Sequence, residues 1–383
     1  MKELAFISQN RIYCLSGGRI NELPCGRVLK YKETLADIRR RTEWKTSGSG
    51  AAFMGQNIPS ADPENVTADI SGLACYDGQL VYAVRLDDSG GIYIRSTDRT
   101  DMNESLIVSG KEIFPGRMSC QGNKLCISCG ENREEKHISL YELPSSFAKE
   151  LTDGDSIEEA PSMDGERIYF STAGYARDDS GCIAAVQNKS IMCLDTALGT
   201  MDEFITDEKY DFLCPVPDGE GGIYCIRQTA GGDKPGGAGI IKDVLLFPFR
   251  MIKSVFGLLN YFSMIFGGES LRSGGSAVPE RTKHRDEKQM FIDGNRINAE
   301  RNLKAEKSRG EKYPGIMPAN RVLMHISASG EQNVIKSGVL DYTLLSDGNI
   351  AISNGRHIII SDRNGTSLNA YPADRAVSLT EIV

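Results

Sequence analysis

Apolar residues along this chain fall in short runs, each opened by a tight polar turn. The pattern appears as YDGQLVYAV from Tyr76, CQGNKLCIS from Cys120, MDGERIYFS from Met163, PDGEGGIYCI from Pro217 and SDGNIAIS from Ser346. The turn glycines are Gly78, Gly122, Gly165, Gly219 and Gly348. Successive gaps between them are 44, 43, 54 and 129 residues. Each turn leads into a second strand, such as Leu80–Arg85, Leu125–Ser128 or Ile168–Ser171. A loop and a third strand follow: GIYIRS, HISLYE, SIMCLD, VLMHIS and HIIISD. A further turn leads to a fourth: SLIVSG, KELTDG, EFITDE, NVIKSG and SLNAYP. Four short strands per repeat, punctuated by Gly and Asp turns, predict the blades of an all-β propeller.

The long gap has a simple reading. In the fourth repeat the second strand lies near Ile223 and the third near Val322, so residues 230–320 form an insertion within one blade. Five blades are then complete. The chain ends supply the sixth, with Leu4–Ser8, Arg11–Leu15 and Ile20–Leu23 as strands two to four and AVSLTEIV as strand one. A C-terminal strand pairing with the N-terminal three closes the ring and removes the exposed edges of an open array. The expectation is one six-bladed domain over 1–383 with a second insertion at 27–67. Seven blades is the alternative, if the 27–67 segment hides a blade.

The stretch LTDGDSIEEAPSMDGERIYFST, Leu151 to Thr172, resembles the repeat of TolB-type propellers, roughly LT…P-x-W-S-P-D-G-x-x-I-x-F. Leu151, Thr152, Pro161, Asp164, Gly165, Ile168 and Phe170 stand at or near the matching places. The tryptophan is absent and the turn is one residue shorter. The other blades match only at the Asp-Gly turn and the strand pattern. The resemblance implies a fold over most of the chain and carries no catalytic residues.

Antiparallel strands put the second-to-third loops and the links between blades at one end of the ring. Both insertions are therefore expected on one face. The 27–67 insertion begins YKETLADIRRRTEWK, where Leu35, Ile38 and Trp44 form one side of a short predicted helix. GSGAAFMG, Gly48 to Gly55, lacks every phosphate-binding fingerprint.

The longer insertion holds LFPFRMIKSVFGLLNYFSMIFG, Leu246 to Gly267, the most apolar stretch of the chain. A helix over 244–266 places Arg250 and Lys253 on a narrow polar stripe. Phe249, Ile252, Phe256, Leu259 and Phe262 fall on the wide apolar face. That pattern suits the plane of a membrane interface or a partner's groove. A single crossing is excluded by topology, because the flanking strands belong to one blade, and no second apolar segment offers a return. Residues 239–320 carry 14 Lys and Arg against 9 Asp and Glu, a net of +5, leaving −13 for the rest of a chain whose total is −8. The apolar segment is followed by a basic stretch read as partly disordered, and Gly-rich tethers flank the helix.

Net charge argues against nucleic acid as a partner. The N-terminus, MKELAFISQNRIYCLSGG, lacks a secretory signal's apolar core, so the expected location is cytoplasmic, peripheral on the membrane's inner face. Cys126 and Cys129 have CxxC spacing but sit in one strand, where residues three apart point to opposite faces. No metal or cofactor is expected. Aligning the blades on their turn glycines gathers Glu158, Glu159, Asp211 and Asp341 near the channel mouth. With Trp44 these acids are the candidate ligand face, and the place to seek a hydrolase or lactonase site. The acids do not repeat around the ring, and His137, His325 and His357 are expected apart from them. A non-enzymatic binding or scaffold propeller is the favoured reading.

Overall fold

The computed structural model describes residues 3–31, 33–34, 37, 68–86, 89–98, 101, 103–111, 113–130, 136–177, 183–230, 289–292 and 295–382. The first blade starts with β1 (Glu3–Ser8), β2 (Arg11–Ser16) and β3 (Arg19–Leu23). Blade 2 is β4 (Asp69–Tyr76), β5 (Gln79–Arg85), β6 (Gly90–Arg95) and β7 (Glu104–Gly110). Blade 3 is β8 (Phe114–Gln121), β9 (Lys124–Gly130), β10 (His137–Glu142) and β11 (Ala148–Glu150). Blade 4 is β12 (Ser156–Asp164), β13 (Arg167–Arg177), β15 (Ser190–Asp195) and β16 (Thr200–Ile205). In it β14 (Ile183–Val186) pairs with an extension of β13. Blade 5 is β17 (Tyr210–Pro217), β18 (Ile223–Thr229), β21 (Val322–Ile326) and β22 (Gln332–Ser337). Between β18 and β21 lie the hairpin strands β19 (Gln289–Ile292) and β20 (Asn295–Asn298), then helix α1 (Ala299–Ser308). Blade 6 is β23 (Asp341–Leu344), β24 (Ile350–Ser353), β25 (His357–Ser361) and β26 (Ser367–Pro372).

The last strand, β27 (Val377–Ile382), pairs antiparallel with β1, from Glu3 against Ile382 to Ile7 against Val377. It completes the first blade as the innermost strand, and the innermost strands of the six blades touch in cyclic order. The predicted closure is therefore present, and the ring has six blades.

Alternation within each strand explains why these segments read as nearly continuous apolar runs. Leu80, Tyr82 and Val84 of β5 enter the seam with blade 1, while Val81 and Ala83 enter the seam with blade 3. Both faces of every blade are covered, so both parities must be apolar. Each of the six seams has its own apolar cluster. The same alternation separates the CxxC pair. Cys126 packs in the seam with blade 4, and Cys129 packs against the seam with blade 2. Burial pushes both thiols up, that of Cys129 to about 11.

The inner strands crowd one another at the axis. A Cβ at Gly72 would lie 2.3 Å from the Gly116 carbonyl oxygen of the next blade, so no larger residue fits. Bulges interrupt the inner strands of blades 1 to 5, at Ala5/Ile7, Ile70/Gly72, Pro115/Met118, Glu159/Ser162 and Leu213/Val216. The β23–β24 pair has none.

Two features depart from the sequence reading. The repeat pattern makes AGYARDDSGCIAAVQNK a second-to-third loop, yet within it Tyr175 pairs with Val186 and Arg177 with Ile183, which lengthens the blade 4 hairpin. In the 27–67 region the helical turn starts earlier than expected, at residue 26. Glu104 accepts its first amides, Gly26 N and Arg27 N, both at 2.9 Å, which suits a carboxylate at a helix N-terminus. Cys25 and Val28 fill the seam between blades 1 and 2. Trp44 and the predicted helix over 244–266 lie outside the described residues. Among the described residues no helix is long and apolar enough to cross a membrane.

Candidate functional site

One rule of chain geometry repeats on the face that carries the insertions. The residue just before the third strand offers its carbonyl to the chain entering the next blade. Lys136 O accepts Glu158 N, Lys189 O accepts Phe212 N, Arg321 O accepts Val339 N, and Arg356 O accepts Ala373 N, at 2.9–3.1 Å. In four consecutive blades that residue is a cation. The fold therefore sets four basic side chains around the mouth, each beside the next blade's inner strand.

Between blades 3 and 4 the cations meet the predicted acids. Lys136 Nζ lies 2.7 Å and Lys189 Nζ 2.6 Å from the two oxygens of Glu159. The two ammonium groups hold the Glu159 carboxyl well below its ordinary range. Asp211 accepts the Lys189 backbone N–H at 2.9 Å, so it joins the same network through the chain rather than the ammonium. Glu158 turns the other way along the strand and is almost fully buried. It accepts hydrogen bonds from Ser156 and Thr152 and lies 2.7 Å from His137 Nδ1.

A carboxyl with a depressed pKa adds stability above its unfolded value, about 4.3, and that stability drains away as pH falls through the folded value. Glu159→Gln is thus expected to lower the urea midpoint at pH 7. As pH falls below about 4.3, toward and through the lowered folded value, the variant should lose less than the parent, so the two curves converge. Parallel curves would remove Glu159 from the acid response.

Asp341 stands elsewhere, at the axis. It is 1% exposed, and Arg117 Nη1 reaches it at 3.0 Å from β8. Blades 3 and 6 are opposite one another in the ring, so this ion pair spans the channel. Asp341 also accepts the backbone N–H groups of Tyr342 and Ser378. Beside it, Tyr342 donates its hydroxyl to Cys214 O at 2.7 Å in blade 5. Arg321, 1% exposed, closes the same side by donating to Gln228 and to the carbonyls of Val339 and Leu340.

Over this mouth sits the end of the long insertion. Ile297 and Met317 pack on Leu340 and Val377. Ile316 N donates to Asn354 O, and Asn354 Nδ2 donates to Tyr313 O. The basic stretch expected to be partly disordered ends here; its described residues 289–292 and 295–320 form a hairpin, a helix and a seated return segment.

The predicted acids thus divide. Glu158, Glu159 and Asp211 lie along the two seams that join blades 3, 4 and 5, while Asp341 belongs to the cross-channel pair. The expectation that the histidines lie apart from these acids fails at His137, which meets Glu158, while His325 Nε2 lies 2.8 Å from Asp218, which is outside that set. His357 faces Tyr313 instead, and burial, with Arg356 nearby, lowers its pKa. Sequence reasoning missed Lys136, Lys189, Arg321 and Arg117. The first three were visible as a basic residue just before the third strand of blades 3, 4 and 5; Arg117 sits in a bulge and gives no such signal. Among the described residues no cluster of His, Cys, Asp and Glu is arranged to hold a metal ion.

No family model matches this sequence, and no curated protein matches it. Solved structures do. TolB from Acinetobacter baumannii aligns with a TM-score of 0.51 at 10% identity, covering 100% of this chain and 66% of that one. A chain of the nidogen/laminin complex aligns with a TM-score of 0.51 at 8% identity, covering 100% of this chain and 99% of that one. At such identities the likeness is one of fold. This chain is a six-bladed β-propeller of the TolB-like fold.

Proposed function

We propose that this propeller is a non-catalytic binding platform of the cytoplasm, attached peripherally to an anionic membrane through its longer insertion. The observation that carries the reading is the pairing of β18 with β21, from Ile223 against Ile326 to Arg227 against Val322. The insertion leaves and returns at neighbouring strands of one sheet, so a single crossing of its apolar segment would tear blade 5 apart. A segment with a wide apolar face and the stripe of Arg250 and Lys253 is then suited to lie in an interface. The acids at the mouth support a binding role over hydrolysis. Glu158, Glu159 and Asp341 are each spent on neighbouring protein groups.

Full burial of a Phe, Leu or Ile side chain is worth about 1.5–3 kcal/mol, and less at an interface. Several such residues suffice for reversible attachment. Sedimentation with vesicles containing phosphatidylserine is expected to carry the protein down. Phe256→Asp with Leu259→Asp should release it while the ring's melting curve stays put. A protein that ignores anionic vesicles yet retains one soluble partner through the same two positions would move the helix to a partner's groove. An unfolded double variant would assign the segment to the protein's own packing.

A further inference from the structure

We infer that helix α1 and the chain just after it form a fixed cationic surface for anionic lipid headgroups. This rests on the membrane reading above and adds to it a second, electrostatic element at a defined place. The helix begins with Asn298, whose side chain accepts Arg301 N, and runs from Ala299 to Ser308. One side is moored to the ring. Asn302 Nδ2 donates to Ile316 O, and Glu306 accepts Gly315 N. Glu306 also lies against Gly338, in the link between blades 5 and 6. That places the helix on the inserted face.

The opposite side is left to solvent. Arg301, Lys304 and Lys307 are exposed along it, three residues apart, and exposed Arg309 and Lys312 follow. Lys312 lies over the Tyr313 ring at 5.0 Å, and that ring faces His357 beside exposed Arg356. The cations therefore continue from the helix onto blade 6. The acids are mostly engaged: Glu306 points inward, Glu311 pairs with Lys336 at 3.7 Å, and Glu300 alone stands beside Lys304, at 3.0 Å.

The chemistry favours lipid headgroups over other anions. The chain as a whole is −8, so a long nucleic acid would meet net repulsion beyond this patch. No aromatic residue lies within α1, so bases would have nothing to stack on there. A row of Arg and Lys on the face where the long insertion leaves and returns to the ring matches a planar sheet of negative headgroups. The basic row adds long-range attraction, and the apolar segment adds burial that salt does not screen.

The test uses the full chain with vesicles of phosphatidylcholine alone or mixed with phosphatidylserine; each basic residue near an anionic surface is worth about fivefold in partition. Arg301→Gln, Lys304→Gln and Lys307→Gln together are expected to lower partition onto the anionic vesicles about a hundredfold. Partition onto neutral vesicles and the melting temperature should stay unchanged, because the three side chains are exposed. If the triple variant keeps its preference for anionic vesicles, the helix is not the headgroup surface, while loss of binding in the Phe256→Asp, Leu259→Asp variant would still uphold the platform reading. If the parent ignores both kinds of vesicle, the platform reading fails as well. A parent that binds single-stranded RNA in preference to anionic vesicles, through the same three residues, would overturn the lipid assignment.

Discussion

Deletion of residues 377–383 is expected to unfold the whole ring, with no intact five-bladed remnant. Strand β27 is the innermost strand of the first blade, and its loss leaves β1 with a bare inner edge. Exposed edges of this kind recruit other chains. Leu379 leaves the seam of blades 6 and 1, where it packs with Leu4, Phe6 and Ala376. Val377 and Ile382 leave the seam of blades 1 and 2. Glu381 also stops accepting Ser346 N and Oγ at 2.8 and 3.0 Å, which ties the strand to the first turn of blade 6. Each lost apolar side chain costs about 1.5–3 kcal/mol on full burial, and whole domains are stable by only about 5–15 kcal/mol. The expected readout is loss of the cooperative melt and a shift to aggregates on gel filtration. A truncated protein that melts like the parent would show that closure adds little.

Strand order and ring closure were legible because a propeller repeats one local solution. The Asp-Gly turn at 164–165 and the two-sided burial of β5 are written in a few residues each. The β13–β14 extension was not, since its pairing rests on a short, broken run in which Tyr175 meets Val186 and the register shifts between Ala176 and Arg177. Seam partners were also hidden. His137 and Glu158 are 21 residues apart and in different blades. Nothing in the spacing of either strand says that they share a seam.

The different settings of Glu158 and Asp341, which turn-glycine alignment makes equivalent, have a related cause. Aligning blades on their turn glycines assumes equal strand lengths from turn to mouth. A bulge at Glu159/Ser162 adds one residue to β12, while β23 pairs with β24 without a register shift. Glu158 therefore turns into a seam, and Asp341 turns to the axis. Bulges re-aim side chains in this way. The same effect delivers Arg117, which lies in the bulge between Pro115 and Met118, across the channel.

Asp341→Ala is the point substitution expected to cost most. The carboxylate is buried and joins three blades: its own, blade 1 through Ser378 N, and blade 3 through Arg117. Alanine leaves two backbone N–H groups without that acceptor, at about 1–3 kcal/mol for each that is buried. Breaking a buried ion pair from one side typically costs about 3–5 kcal/mol, but the Arg117 side chain is 30% exposed and water recovers part of that. The net expectation is a loss of about 3–5 kcal/mol by urea unfolding. Asp341→Asn keeps one acceptor oxygen and should fall between parent and alanine. Arg117→Ala should also destabilise, by about 1–3 kcal/mol, because the buried Asp341 carboxylate keeps two N–H donors but loses its counter-charge. In the double variant the losses should fall short of additive, because the shared ion pair is removed only once. A loss below about 1 kcal/mol for Asp341→Ala would mean that the six seams alone hold the ring and that the cross-channel pair merely fills its axis.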